Sequence, residues 1–460
     1  MKHFPDDFVW GAATSAFQIE GAVHADGRGE SIWDRFCATP GKIIDGSDAN
    51  VACDHYRRFP EDIELLRWLG VRSYRFSIGW TRILPGGRGQ PNEAGLDFYD
   101  RLVDRLLACG IDPFVTLNHW DMPQALQDAG GWPARETVHA FVAYAEAVVR
   151  RLGDRVQRWC THNEPWCVST LGYGNGEHAP GEQHWPRALA AAHHLLLSHG
   201  MAVGAMRALA PRAQLGIVLN LTPGEPASPS RADREATRAF DGTFNRWFLD
   251  PLYGRGYPPD VIADHLAAGH LADSLLPFVR EGDLHAIATP TDYLGVNYYS
   301  RAVLRARVPE AENQPATVVA SADRTDMGWE VYPDGLFDTL RRVHKDYAPR
   351  QIYVTENGAA YASAPDGDGR IRDVERQRYL WTHFEAVHRA IAEGVPVAGF
   401  YVWSLLDNFE WAQGYAKRFG IFWVDYETQA RVAKDSAHMC RRIISENALV
   451  GDDACVEVAS

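Results

Sequence analysis

The chain has 460 residues, 46% hydrophobic and 23% charged, a composition that supplies a large core and excludes wholesale disorder. Its 46 basic against 60 acidic residues leave a net charge of -14, the opposite of the basic stripe that a nucleic-acid binder carries. The start shows no apolar signal segment, no apolar run approaches the roughly 18 residues of a membrane span, and seven widely spaced cysteines without a Cys-x-x-Cys pair read as reduced thiols in a cytoplasm.

Residues 8–13 predict a first strand, followed by the stretch 15–21 and a Gly- and Arg-rich turn over 27–34. Ile63, Leu66 and Leu69 stand at helical spacing and predict a helix over 56–69; alternation around Tyr74, Phe76 and Ile78 predicts a strand over 72–80. Residues 96–109 place Leu102, Val103, Leu106 and Leu107 on one stripe with charges opposite, and Gly110 stops that helix. The unit then repeats: strand 112–118 and helix 138–152, strand 156–161 and helix 187–210, strand 214–221 and helical material over 231–247. Strands follow at 292–296, 351–355 and 395–404, with helices near 334–347 and 377–393. Eight short apolar strands alternating with helices predict a closed parallel (β/α)8 barrel, a TIM barrel, as a single domain over 1–460.

Such barrels build their sites where the strands end. The residues expected there are Gln18, Trp80, His119, Trp120, Asn163, Glu164, Asn297, Tyr299, Glu356 and Trp403, with the stretches 301–329 and 408–422 as walls. Indole faces beside amides, imidazole and carboxylates suit a sugar, whose C–H face stacks on an aromatic ring while each hydroxyl needs a polar partner. Trp403, Trp411 and Trp329 are the candidate platforms, and Gln18, His119, Asn163 and Glu410 the candidate hydroxyl ligands. Glu164 and Glu356 each sit at a strand exit with a turn former, Pro165 or Gly358, close behind. Cleaving a glycosidic bond with retention takes one carboxylate as nucleophile and a second, about 5–5.5 Å away, as acid and then base. Like charges at that range split the titration of the pair, and Arg75 on the second strand is the residue expected to keep Glu356 ionised.

Thr-His-Asn-Glu-Pro at 161–165 and Thr-Glu-Asn-Gly at 355–358 resemble the motifs of family 1 glycoside hydrolases, the β-glucosidase family. So do Phe-Gln-Ile-Glu-Gly at 17–21, Tyr-Arg-Phe-Ser-Ile at 74–78, Leu-Asn-His-Trp at 117–120, Asn-Tyr-Tyr at 297–299 and Trp-Ser-Leu-Leu-Asp-Asn-Phe-Glu-Trp at 403–411. The resemblance covers nearly the whole chain. It implies that Glu164 is the acid/base and Glu356 the nucleophile, and that Gln18, His119, Trp120, Asn163, Trp403, Glu410 and Trp411 line the sugar subsite. It further implies that Asn297 and Tyr299 support the acids and that Trp329 is the aglycone platform. A phospho-sugar branch of the family is similar in using a lysine where Lys417 stands, but needs a small hydroxyl residue at 410 and a tyrosine at 419. Here Glu410 repels a phosphate dianion and Phe419 lacks the hydroxyl.

The expectation is therefore a retaining β-glycosidase acting on terminal non-reducing β-D-glucosyl residues of a small glycoside or oligosaccharide, with galactosides and fucosides left open and with no cofactor or metal. A transglycosylase of the same fold and a non-catalytic sugar-binding protein are the rival readings, and a homo-oligomer stays open. Asp366 to Gly369 reads as a turn, because Arg370 occupies a position where a calcium loop needs a ligand. His178 is read either as lining the pocket mouth or as a loop residue without a role, and Cys160 and Cys167 as small buried hydrophobes.

Overall fold

A computed structural model describes residues 2–306, 317–318 and 321–450; Cys455 and part of the expected 301–329 wall (307–316 and 319–320) lie outside the described residues. Among the described residues, eight parallel strands form a closed barrel: β1 (Val9–Ala13), β2 (Ser73–Ser77), β3 (Asp112–Asn118), β4 (Arg158–Asn163), β5 (Gln214–Asn220), β6 (Tyr293–Asn297), β7 (Ile352–Asn357) and β8 (Val397–Trp403). They neighbour one another in chain order, and β8 returns to β1 with Trp403 opposite Ala13. The helices α1 (His55–Leu69), α2 (Glu93–Ala108), α3 (Glu136–Leu152), α4 (Trp185–Leu209), α5 (Arg231–Asp241), α6 (Pro333–Tyr347), α7 (Val374–Ala392) and α8 (Asp435–Glu446) each follow the strand of the same number. This is the (β/α)8 barrel that the alternation of strand-like and helical stretches predicts.

Two predicted elements differ. The strand expected over 72–80 ends at Ser77, because the Gly79 N–H donates to the Tyr99 hydroxyl (2.7 Å) and the chain turns away into a short helix, Trp80–Ile83. Trp80, expected on the rim, is instead fully buried and stacks on Tyr144 of α3 at 5.0 Å. The helical stretch over 231–247 is also broken: α5 runs into a π-helical turn, Gly242–Arg246, before Trp247–Leu252. Gly242 admits the close packing of Val261 there, whose Cγ2 would lie 2.5 Å from any Cβ added to the glycine.

The strands bury side chains on both faces, as parallel barrel strands do. Outward residues such as Trp10, Tyr74, Phe76 and Leu117 join the layer beneath the helices. Inside the barrel a separate cluster contains Phe114, Cys160, Val218, Tyr293, Tyr353 and Tyr401. Glycines make room for those rings: a Cβ on Gly11 would sit 2.3 Å from the Tyr401 ring, and one on Gly216 2.5 Å from that of Tyr293. The Arg158 guanidinium lies 4.8 Å from the Tyr353 ring centre and donates to the Tyr401 hydroxyl at 3.2 Å. This ring layer fills the barrel below the strand exits and gives the site its floor.

Candidate active site

A cavity of about 480 Å³ opens where the strands end, walled by His119, Trp120, Glu164, Asn297, Tyr299, Glu356, Trp403 and Glu410, with Trp329, Trp411 and Phe419 from the two expected wall stretches. Glu356 lies within β7 itself. Glu164 stands one residue past β4, where its backbone takes a φ of 51° while its N–H still donates to the Val218 carbonyl of β5 at 2.9 Å. Trp120 (φ 78°) and Trp411 (φ 50°) share this left-handed conformation, which costs a non-glycine residue energy and here aims three side chains into one cavity.

The two carboxylates have unequal partners. Arg75 donates to Glu356 Oε1 at 2.6 Å, and the Tyr299 hydroxyl donates to Oε2 at 2.7 Å. Glu164 receives Asn297 Nδ2 on Oε1 at 2.6 Å and the Cys167 thiol on Oε2 at 3.1 Å, with no cation in contact among the described residues. Burial, then the Glu356 charge, pushes Glu164 up to about 8, against its contacts with Asn297 and Cys167. Burial raises Glu356 as well, but Arg75 and Tyr299 oppose the shift, so the pair loses its first proton from Glu356. Glu410 is pushed up to about 8 by burial and by the charges of the other two acids.

Asn163 and Gln18 are fully buried and contact the wall residues from beneath. Asn163 Oδ1 accepts from Arg75 (2.6 Å) and Asn297 (3.1 Å), which turns its Nδ2 toward His119 Nε2 at 3.1 Å. Burial and Arg75 hold His119 well below its ordinary value. The neutral ring therefore accepts at Nε2 and carries its proton on Nδ1, a buried atom without a hydrogen-bond partner among the described residues. Gln18 stands on the short helix Ala16–Ile19 and not at the strand exit; its amide donates to the Phe409 carbonyl at 2.8 Å and approaches Glu410 Oε2 at 3.5 Å, steadying the stretch that carries Glu410. His178 does line the cavity, packed 5.3 Å from both Trp33 and Trp120, and burial pushes it down to about 3.

Sequence reasoning missed Trp166, Cys167, Asn220 and Phe244, all on the cavity wall. Asn220 ends β5 and the strand-exit rule would have found it. Phe244 sits in the π-helical turn and gave no such signal. Among the described residues no group of His, Cys, Asp and Glu is arranged to hold a metal ion.

A parallel barrel whose mouth holds two buried, unequally partnered carboxylates in an indole-walled cavity defines a glycoside hydrolase of the two-carboxylate kind. The sequence profile of glycosyl hydrolase family 1 matches residues 1–449, and the chain belongs to that family. It is 46% identical to beta-glucosidase A of Acetivibrio thermocellus over 96% of this chain and 98% of that one. It is 45% identical to a bifunctional beta-D-glucosidase/beta-D-fucosidase of Bifidobacterium breve over 96% of this chain and 98% of the relative. Among solved structures, the family 1 β-glucosidase of Thermotoga maritima superposes with a TM-score of 0.93 at 44% identity, covering 98% of this chain and 100% of the other.

Proposed function

We propose that the protein is a retaining β-glucosidase that releases terminal non-reducing β-D-glucosyl residues by double displacement, with Glu356 as nucleophile and Glu164 as acid and then base. The observation that carries this is the asymmetry of the pair: Glu356 is held by Arg75 and Tyr299, while Glu164 rests against Asn297 and a thiol. In the first step Glu356 attacks the anomeric carbon while Glu164 protonates the leaving oxygen. In the second, the ionised Glu164 takes a proton from water, which attacks the glycosyl-enzyme from the face the aglycone left. Arg75 and Tyr299 hold the Glu356 carboxylate in line and leave its ester a good leaving group.

His119 and Glu410 on the wall provide donors and acceptors for the sugar hydroxyls, with Gln18 and Asn163 holding them from beneath, and Trp403 carries the C–H face of the ring. Trp329 stands further out as the aglycone platform, packed 5.3 Å from Tyr299. The Bifidobacterium relative is named as both a beta-D-glucosidase and a beta-D-fucosidase, and the same breadth toward β-glucosides and β-fucosides is proposed here. The chain works as one barrel domain. A reducing cytoplasm suits the six described cysteines, none of which is in a disulfide.

Two carboxylate variants on aryl β-glucosides test the reading. Glu356→Ala is expected to abolish turnover. Glu164→Ala should keep activity on activated leaving groups, recover further with azide, and lose about 10²–10⁴-fold on poor ones. A first product of inverted anomeric configuration, followed by NMR, rules the mechanism out.

A further inference from the structure

We infer that Cys167 is a positioning residue for Glu164, its thiol holding one carboxyl oxygen and setting how readily that group gives up its proton. This rests on the reading of Glu164 as acid/base. The Sγ atom lies 3.1 Å from Glu164 Oε2, and Asn297 occupies the other oxygen at 2.6 Å. The Cys167 N–H also donates to the Glu164 carbonyl at 3.0 Å, so Cys167 holds Glu164 by main chain and side chain at the place where the backbone takes its left-handed turn. From the other side Asn220 Nδ2 approaches Sγ at 3.6 Å. An N–H aimed at the sulfur leaves the S–H to point at the carboxyl.

Cys160 provides the contrast: its Sγ donates to the His162 carbonyl, within the barrel interior and off the cavity wall. Burial, followed by the Glu164 charge, pushes the Cys167 thiol well above its ordinary value, so it stays a donor and not a nucleophile. The other titratable groups around the pair are Glu356, Glu410, Arg75, Tyr299 and His119, with Glu177 beyond Cys167. A weak donor suits a group that must be an acid in one step and a base in the next. It lowers the proton affinity of Glu164 only a little, so the group still holds its proton for the first step and, once ionised, still takes one up in the second.

The test is the pH dependence of kcat/KM on a poor-leaving-group aryl β-glucoside for wild type, Cys167→Val, Cys167→Ser and Glu164→Ala. Cys167→Val fills the space without a donor and is expected to move the alkaline limb up by about half a unit, roughly threefold in proton affinity. Cys167→Ser keeps a donor and should hold the limb at or below that of wild type. Cys167→Ala gives the valine reading again if the larger side chain prevents folding. Equal shifts in the valine and serine variants, or none in either, overturn the proposal, because the thiol then only fills space. If Glu164→Ala keeps the wild-type limb, the assignment of Glu164 itself falls. If it loses the limb while the Cys167 variants leave it in place, that assignment stands and the role of Cys167 falls.

Discussion

Arg75 contacts both halves of the reacting arrangement, Glu356 through one nitrogen and Asn163 through another, and the side chain is almost wholly buried. Its removal leaves the Glu356 carboxylate in a low-dielectric site with only neutral groups, the Tyr299 phenol and the Asn297 amide, to stabilise the charge. Arg75→Met is therefore expected to raise the Glu356 pKa and move the acid limb of kcat/KM to higher pH by about one unit or more. The sign follows from the chemistry: without the cation the protonated form is favoured, and the nucleophile ionises later. The other limb belongs to Glu164, pushed up to about 8, so kcat/KM should fall above that pH as the acid is lost. The profile in Glu164→Ala should lack this limb. An unchanged alkaline limb in that variant contradicts the assignment.

Strand ends decide where these groups point, and two of them meet at Gly358. A Cβ built there would lie 1.6 Å from the Trp403 carbonyl oxygen, so the residue after β7 must be glycine for β8 to approach. Gly358→Ala is expected to destabilise the fold by about 3 kcal/mol, at the upper end for a forced methyl group, and to lower kcat through displacement of Glu356, read by urea unfolding and steady-state kinetics. This constraint was legible in part: the sequence motif marks Gly358 as a turn former, and the predicted strand 112–118 coincides with β3. What stayed illegible depends on neighbours distant in the chain. Nothing local tells that Tyr99 will accept the Gly79 N–H and end β2 before Trp80. Hydropathy reads Cys167 as a small apolar residue, and only the fold puts its sulfur beside a carboxyl. The unpaired Nδ1 of His119 likewise follows from a chain of contacts through Asn163, Arg75 and Asn297, which three different strands supply.

At the scale of the whole molecule, the cavity belongs to no single segment. Its residues come from the ends of β3 through β8, and the stretch after β8 is anchored from beneath by Asp407, whose buried carboxylate accepts from Lys434 (2.7 Å), Arg418 (2.8 Å) and the Gly420 N–H (2.9 Å). The two ends of the barrel chain are joined by the pairing of Lys2–His3 with Ala448–Leu449. A site assembled this way exists only when the barrel is closed, so binding and global folding are linked. A glucose-like competitive inhibitor of the proposed activity is a suitable probe. At a hundred times its dissociation constant it should raise the unfolding free energy by about 2.7 kcal/mol, the full value for a ligand that binds the native state alone. Tryptophan fluorescence and far-UV circular dichroism should report one coincident transition, and the ligand should shift both signals together. If the fluorescence change moves with ligand while the circular dichroism change does not, the mouth of the barrel melts independently of its body, and the single cooperative domain proposed for this chain is wrong.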